Sequence, residues 1–224
     1  MKANEDVTVV IPSNKPRVFT VELSPWLKDY RVVVVHNSMG IAPAQNMCAR
    51  QVRGGVMVMV TDDLAVDPQV QQFFNIGKGE FCMLHTGAFP AGGVTVIHVN
   101  DFWRVGGFNE QLLYGSVDSE FYARAVLCGL RYKPIPQGLV KHVKHPSRAS
   151  TIHKLFRVLR DRATFVAAYF RHYPVEVLKH DYLYRLMRGQ LRTALLNLLF
   201  FPYTLVANKL GEWWRVMGED PYDY

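Results

Sequence analysis

The sequence predicts an α/β fold, a doubly wound sheet followed by a helical C-terminal appendage. Three observations predict it. Three short apolar runs lie within the first 60 residues and none alternates with polar residues. Each run ends in small polar or acidic residues. From Thr151 onward the pattern changes to helical stripes of apolar residues between Arg and Lys.

The first run, Val7 to Ile11, is β-branched and stops at Pro12-Ser13-Asn14, so it reads as a buried strand and a loop. Residues 16–30 suit a short helix interrupted at Pro25. The second strand, Arg31 to Val35, ends at His36-Asn37-Ser38, and Ile41 to Arg53 suits a helix stopped by Gly54-Gly55. The third strand, Val56 to Val60, ends at Thr61-Asp62-Asp63. Strands without polar alternation are buried on both faces, as in sheets covered by helices. Right-handed crossovers then wind the sheet, and ligands bind beyond the carboxyl ends of its strands. Pro12, Asn37 and Asp62 are therefore expected at one rim.

Residues 77–93 hold five glycines and predict a mobile connection. Val94 to Val99 reads as a further strand, and Phe102 to Phe108 as an aromatic, glycine-containing stretch. Asp118 to Leu130 suits a helix, and Arg131 to Ile135 a strand leading to Lys141-His142. Beyond it, Leu155, Val158, Leu159, Arg162 and Val166 form one helical stripe, and Leu183 to Leu199 another. The division follows: residues 1–148 as the catalytic domain, 149–224 as a basic, aromatic-rich helical region.

Composition narrows the class. With 49% hydrophobic residues in 224, a sizeable core can form and global disorder is excluded. Residues 1–140 carry 12 Lys/Arg against 12 Asp/Glu, whereas residues 141–217 carry 14 against 4, a net of +10. A basic region of this kind seeks phosphate: nucleic acid, anionic lipid or a diphosphate substrate. Cys48, Cys82 and Cys128 lie far apart and form no zinc pattern, which predicts reduced thiols in a cytoplasmic protein. The N-terminus shows no signal-peptide pattern. The most apolar window, Thr193 to Ala207, contains Pro202 and is too short to span a bilayer.

Four groups of residues could carry chemistry, and each has a plainer alternative. Asp62-Asp63 would repel unless a cation sits beside them, and Mg²⁺ or Mn²⁺ takes such hard oxygens together with substrate phosphates. The alternative is a solvated turn that caps a helix. Asp118 and Glu120 open a helix, where a carboxylate either caps amides or acts as a general base. His142 and His145 read as metal ligands, phosphate contacts or surface residues. Gly106 and Gly107 permit close backbone approach or positive φ, or mark a bend.

These pieces stand in a familiar order. VTVVIPSNKP, VVVVHNSMGIAPAQNMCAR, VMVMVTDDLAVDP, DFWRVGGFNEQLLYGSVDSEFYARAVLCGLRY and VKHVKHPS follow one another over residues 7–148. Together they resemble family 2 glycosyltransferases of the GT-A fold, including rhamnosyltransferase-like members. That fold is a nucleotide-diphospho-sugar transferase fold with a doubly wound mixed sheet. The resemblance implies that Pro12 and Ser13 line the nucleoside pocket, with His36, Asn37, Gly106 and Gly107 also on the donor side. It implies that Asp62 approaches the ribose or the metal, and that Asp63 is the main protein ligand of a metal bridging the diphosphate. Asp118 would be the catalytic base, Glu120 would orient the site, and His142 or His145 would complete the metal shell, with His142 favoured.

The chain also departs from that pattern. His36 stands where many members have an acid, Val117 replaces the Glu of a Glu-Asp pair, Gln45 stands where Arg is common, and Asn109 where Asp is common. The implied activity is transfer of a hexosyl or deoxyhexosyl group (EC 2.4 class) from a nucleotide-sugar, with Mn²⁺ or Mg²⁺, and with inversion. The acceptor would be a hydroxyl of a saccharide, a lipid-linked species, a polysaccharide end or a protein. The basic aromatic segment, residues 150–217, resembles amphipathic helices of anionic membrane surfaces; that places the protein in the cytoplasm, with peripheral contact at the inner face of the membrane as one option. Packing on the catalytic domain or a homodimer interface are the others. A nucleotide-sugar-binding protein without transferase activity and a basic nucleic-acid-binding module remain as competing classes. No helix-turn-helix, RNA-recognition or zinc pattern supports the second, so no nucleic acid is expected.

Overall fold

A computed structural model describes residues 6–13, 18–36, 40–85, 90–112 and 116–143. Asn37, His145 and the C-terminal helical region expected over 149–224 lie outside the described residues.

The elements run in order: β1 (Val7–Ser13), α1 (Phe19–Leu23), a 3₁₀ turn (Pro25–Asp29), β2 (Arg31–His36), α2 (Ile41–Ala49), β3 (Val56–Val60), β4 (Leu64–Val66), a second 3₁₀ turn (Pro68–Phe73), β5 (Glu80–His85), β6 (Ala91–His98), α3 (Val99–Arg104), α4 (Val117–Leu127), β7 (Arg131–Pro136) and β8 (Val140–His142). Six strands form one sheet in the order β2-β1-β3-β6-β5-β7, and β4 and β8 form a two-stranded ribbon. β1 runs parallel to β2 and β3, β6 is antiparallel to β3 and β5, and β7 is parallel to β5. The sheet is mixed: the parallel half β2-β1-β3 is followed by the antiparallel strand β6.

The apolar runs sort onto two faces by the two-residue period of a strand. In β3, Met57 and Met59 join one core, whereas Val56, Val58 and Val60 join the other. In β1, Val10 faces the first core, and Val7, Val9 and Ile11 face the second. The first core is closed by α2, α3 and α4 through Ala42, Cys48, Phe102, Phe121 and Ala125. Its centre is aromatic: the Phe108 and Phe121 rings lie 4.7 Å apart between centroids, and Phe102 lies 5.4 Å from Phe121. The second core is closed by Leu27, Leu64, Val70, Phe74 and Val140 from the 3₁₀ turns and the ribbon. A sheet covered on both faces is why these strands carry no polar alternation.

Several expectations are corrected. The stretch 77–93 was expected to be a mobile connection, yet Glu80–His85 is strand β5, with Phe81, Cys82, Met83 and Leu84 buried, and β6 begins at Ala91. The strand was hidden because glycines flank it on both sides. β2 is not buried on both faces: its four valines are only half-buried, and among the described residues it pairs with β1 alone, as an edge strand. The helix expected to Arg53 ends at Ala49. The stretch from Phe102 belongs to α3 up to Arg104 before it turns at Gly106. The cysteines are free thiols, with Cys48 and Cys82 buried and Cys128 exposed. Among the described residues no helix is long and apolar enough to cross a membrane.

Candidate active site

The acidic turn follows β3. Asp62 and Asp63 are half-buried, and Ser13 Oγ, at the end of β1, donates to Asp62 Oδ2 at 2.6 Å. Two strand ends therefore meet where the fold predicts a ligand rim. Pro12 is half-buried in β1, and His36 pairs in register with Ser13 across β1 and β2 while staying exposed. This brings Pro12, Ser13, His36 and Asp62 together along one edge.

Asp118 reaches the same edge from another direction. Val60 pairs with Val94, and Thr61 N donates to the carbonyl of Gly93 at 3.1 Å, so the start of β6 lies beside the acidic turn. Asp118, in the first turn of α4, is seated on Gly92: a Cβ built there would overlap its carboxyl. Burial pushes the Asp118 carboxyl up to about 6 from 3.8, and the hydrogen bond from the Gly92 backbone works against that rise. The residue still keeps some accessible surface. A carboxylate seated between protein and rim, with its pKa near neutral, is suited to accept a proton. The residue before α4, Ser116, has φ 58 and is the one non-glycine with positive φ among the described residues.

His142 arrives through the ribbon. It pairs in register with Leu64, and Val143 N donates to the Asp63 carbonyl at 2.8 Å. His142 is exposed. The ribbon thus places the His segment beside the acidic turn, which the resemblance implies and strand periodicity does not.

The other two groups of predicted residues are engaged in packing contacts. Glu120 is 1% exposed. Its Oε1 accepts from Arg124 Nε at 2.9 Å and its Oε2 from Arg124 Nη2 at 2.8 Å. Arg124 in turn donates to the carbonyls of Val105 and of Gly107, the latter at 2.7 Å. Gly106 and Gly107 turn the chain after α3 with φ 92 and 68, which glycine adopts without a Cβ penalty. A Cβ at Gly107 would stand 2.9 Å from Asn46 Oδ1. Asn46, the last residue of the GIAPAQN motif, binds Phe108 at both backbone groups: it accepts from the amide at 2.9 Å and donates to the carbonyl at 2.8 Å. Asn46 on one side and the Glu120–Arg124 pair on the other hold the Gly-Gly-Phe segment that leads to α4.

Three contributors were missed by sequence reasoning. Gly92 seats Asp118, and paired glycines at a strand start are a signal of close approach. Arg124 had the charge and spacing of an i, i+4 partner for Glu120. Thr20 had no signal: its hydroxyl binds the acidic turn from a segment far upstream.

Among the described residues no group of three His, Cys, Asp or Glu side chains is arranged to hold a metal ion alone. Asp62 is already bonded to Ser13, while no hydrogen bond or ion pair of the Asp63 carboxylate occurs among the described residues. Such a donor set does not suit a closed all-protein site. It suits a hard cation that takes one or two protein oxygens and fills its shell with diphosphate and water.

Comparison with known proteins bears on the fold and on one segment of the chain. Residues 84–146 match the family model described as the N-terminal domain of galactosyltransferase. That stretch contains Gly92, Asp118, Glu120, Arg124 and His142. No curated protein matches the chain in sequence. Among solved structures, the chain is similar to the mannosyltransferase PcManGT from Pyrobaculum calidifontis in complex with GDP-Man and Mn²⁺. The identity is 14%, over 97% of this chain and 81% of that one, with a TM-score of 0.58. It is also similar to the catalytic domain of Drosophila β1,4-galactosyltransferase 7 in complex with xylobiose, at 16% identity over 63% and 71% of the two chains, TM-score 0.52. A mutant of that Drosophila enzyme with manganese, UDP-Gal and xylobiose matches at 14% identity over 68% and 79%, TM-score 0.52. The solved structures share the GT-A fold with this chain, and the segment matched by the family model is the one that carries Gly92, Asp118 and His142.

Proposed function

We propose that the chain moves a sugar from a nucleotide-sugar donor to a hydroxyl of a saccharide acceptor, with a divalent metal and with inversion. The observation that carries this reading is the seat of Asp118 on Gly92, one strand away from Asp62-Asp63. Asp63 would hold the metal, Asp62 and Ser13 would face the nucleoside side, and His142 would stand beside the metal shell. A bound Mn²⁺ or Mg²⁺ would offset the charge of the leaving diphosphate. Asp118 accepts the proton of the incoming hydroxyl as the oxygen attacks the sugar carbon from the face opposite the diphosphate. Inversion is supported by the two carboxylates of α4. Glu120 is bound to Arg124, so the helix offers one carboxylate at the rim, enough for a base in a single displacement. The ligands of the similar structures, GDP-Man or UDP-Gal with manganese, and xylobiose, are consistent with this donor and acceptor class.

The test combines binding and turnover. GDP-Man and UDP-Gal are assayed with Mn²⁺ and with EDTA. Asp118→Asn is expected to lower turnover ~10²–10⁴-fold, the usual worth of general-base help, with donor affinity nearly intact. Asp63→Ala is expected to abolish the Mn²⁺ dependence of donor binding. Near-normal turnover in the first variant would remove Asp118 from the role, and unchanged Mn²⁺ titration in the second would remove the metal from the turn.

A further inference from the structure

We infer that Thr20 is a positioning residue for the donor: it sets the shape of the Thr61–Leu64 turn and so the affinity of the site for a metal-bound diphosphate. The inference rests on reading that turn as the donor site.

The turn carries Asp62 and Asp63 at its two central positions, and the Thr20 hydroxyl binds both of its ends. Thr20 Oγ1 donates to the Thr61 carbonyl at 2.6 Å and accepts from the Leu64 amide at 3.0 Å. A hydroxyl has one proton to give and lone pairs to receive, so this one group is used in both directions. Thr20 is 0% exposed, which keeps water from taking its place. Its partners lie 41 and 44 residues away in sequence, so the bond is tertiary and ties α1 to the turn.

Two further bonds from the same segment end elsewhere. Ser24 Oγ accepts from the Val66 amide at 2.9 Å, and Trp26 Nε1 donates to the Val66 carbonyl at 2.8 Å. These fix β4 beyond the turn. The segment therefore works as a splint with separate attachments: Thr20 on the acidic turn, Ser24 and Trp26 on the strand that follows. Carboxylates that coordinate a metal must be held within about 0.5 Å of their working geometry. Ser13 steadies Asp62 from β1. Asp63 receives no such side-chain support among the described residues, so its backbone sets its position; the Val143 amide holds its carbonyl, and Thr20 is the side chain that holds the two flanking peptide groups.

The separation of attachments supplies the test. Mn²⁺ is titrated calorimetrically in the presence of UDP and of GDP, and thermal midpoints are recorded for each variant. Thr20→Val keeps the shape and removes the hydroxyl. Both bonds of the hydroxyl go with it, and Mn²⁺-dependent nucleotide binding is expected to weaken about tenfold. Thr20→Ser restores the hydroxyl and is expected within about twofold of the parent. Ser24→Ala lowers the thermal midpoint to a similar degree and is expected to leave Mn²⁺ binding unchanged. If Thr20→Val does not fold, Thr20→Ala carries the same expectation. Equal weakening by Thr20→Val and Ser24→Ala would reduce the effect to stability and overturn the inference, as would full Mn²⁺ affinity in Thr20→Val. Asp63→Ala separates the two levels. If it also leaves Mn²⁺ binding intact, the donor-site reading fails; if it abolishes binding while Thr20→Val does not weaken it, only the role of Thr20 fails.

Discussion

Two carboxylates in the first turns of α4 have opposite fates. Asp118 faces the rim, rests on a glycine, and has its pKa pushed up to about 6 by burial. Glu120, two residues on, faces the core and is bound by Arg124 at both oxygens. One helix thus leaves one carboxylate at the rim and ties the other into its packing. The contrast teaches how the site is built. Glu120 gives up its reactivity to hold Arg124, Arg124 holds the carbonyls of Val105 and Gly107, and that segment delivers the helix on which Asp118 rides.

The contrast can be broken in three places, in decreasing order of expected effect. The largest is at the seat of Asp118. Gly92→Ala puts a methyl where the carboxyl lies, so Asp118 must move. Turnover is expected to fall ~10²–10⁴-fold, as if the base were removed. In Gly93→Ala the methyl meets only the Leu64 and Leu84 side-chain ends, at 3.1 and 3.3 Å, and a smaller loss is expected. Steady-state rates of both variants, with circular dichroism to verify the fold, check this; equal losses would show that the seat is not specific.

The second effect is on stability. Glu120→Ala leaves the Arg124 guanidinium, only 16% exposed, without its counter-ion. Breaking a buried pair from one side costs ~3–5 kcal/mol. Urea unfolding is expected to show a lower midpoint by that measure. A loss under ~1 kcal/mol would mean that the pair behaves like a surface bridge.

The smallest effect is a gain. The folded-state pKa of Asp118 lies above its ordinary value, so its contribution to stability is full below pH 3.8 and is lost as pH rises to about 6. Asp118→Asn escapes that loss. Without added metal it is expected to be more stable than the parent above pH 6, by up to ~3 kcal/mol, with no difference near pH 4. Each kcal/mol moves the thermal midpoint of a chain this size by about 2–4 °C. A variant less stable than its parent at pH 7.5 would contradict the burial of the Asp118 charge.

The parts legible in the sequence were those with a periodic or chemical signal. Val7–Ile11 and Val56–Val60 read as strands because both faces are covered, and α4 was legible from Phe121 and Ala125, although it ends at Leu127 rather than at Leu130. The acidic turn was visible as paired carboxylates after a strand; a cation and a solvated turn were both open on the residues alone, and the resemblance favoured the cation. β5 was lost because Gly77, Gly79 and the glycines at the start of β6 outweighed the run EFCMLH. The ribbon was lost because a three-residue strand has no period to detect. Glu120 and Gly107 were seen, with a cap and a bend as their plainer alternatives, but spacing does not reveal that Arg124 and Asn46 engage them. Thr20 was invisible, because a hydroxyl that bonds across 41 residues leaves no local trace.

The ribbon has a mechanical consequence. Val143, the last described residue, is hydrogen-bonded to the carbonyl of Asp63 itself. The end of β8 is therefore fastened to the acidic turn through the backbone as well as through its pairing with β4. A displacement of β8 along β4 is passed to Asp63 through that single bond.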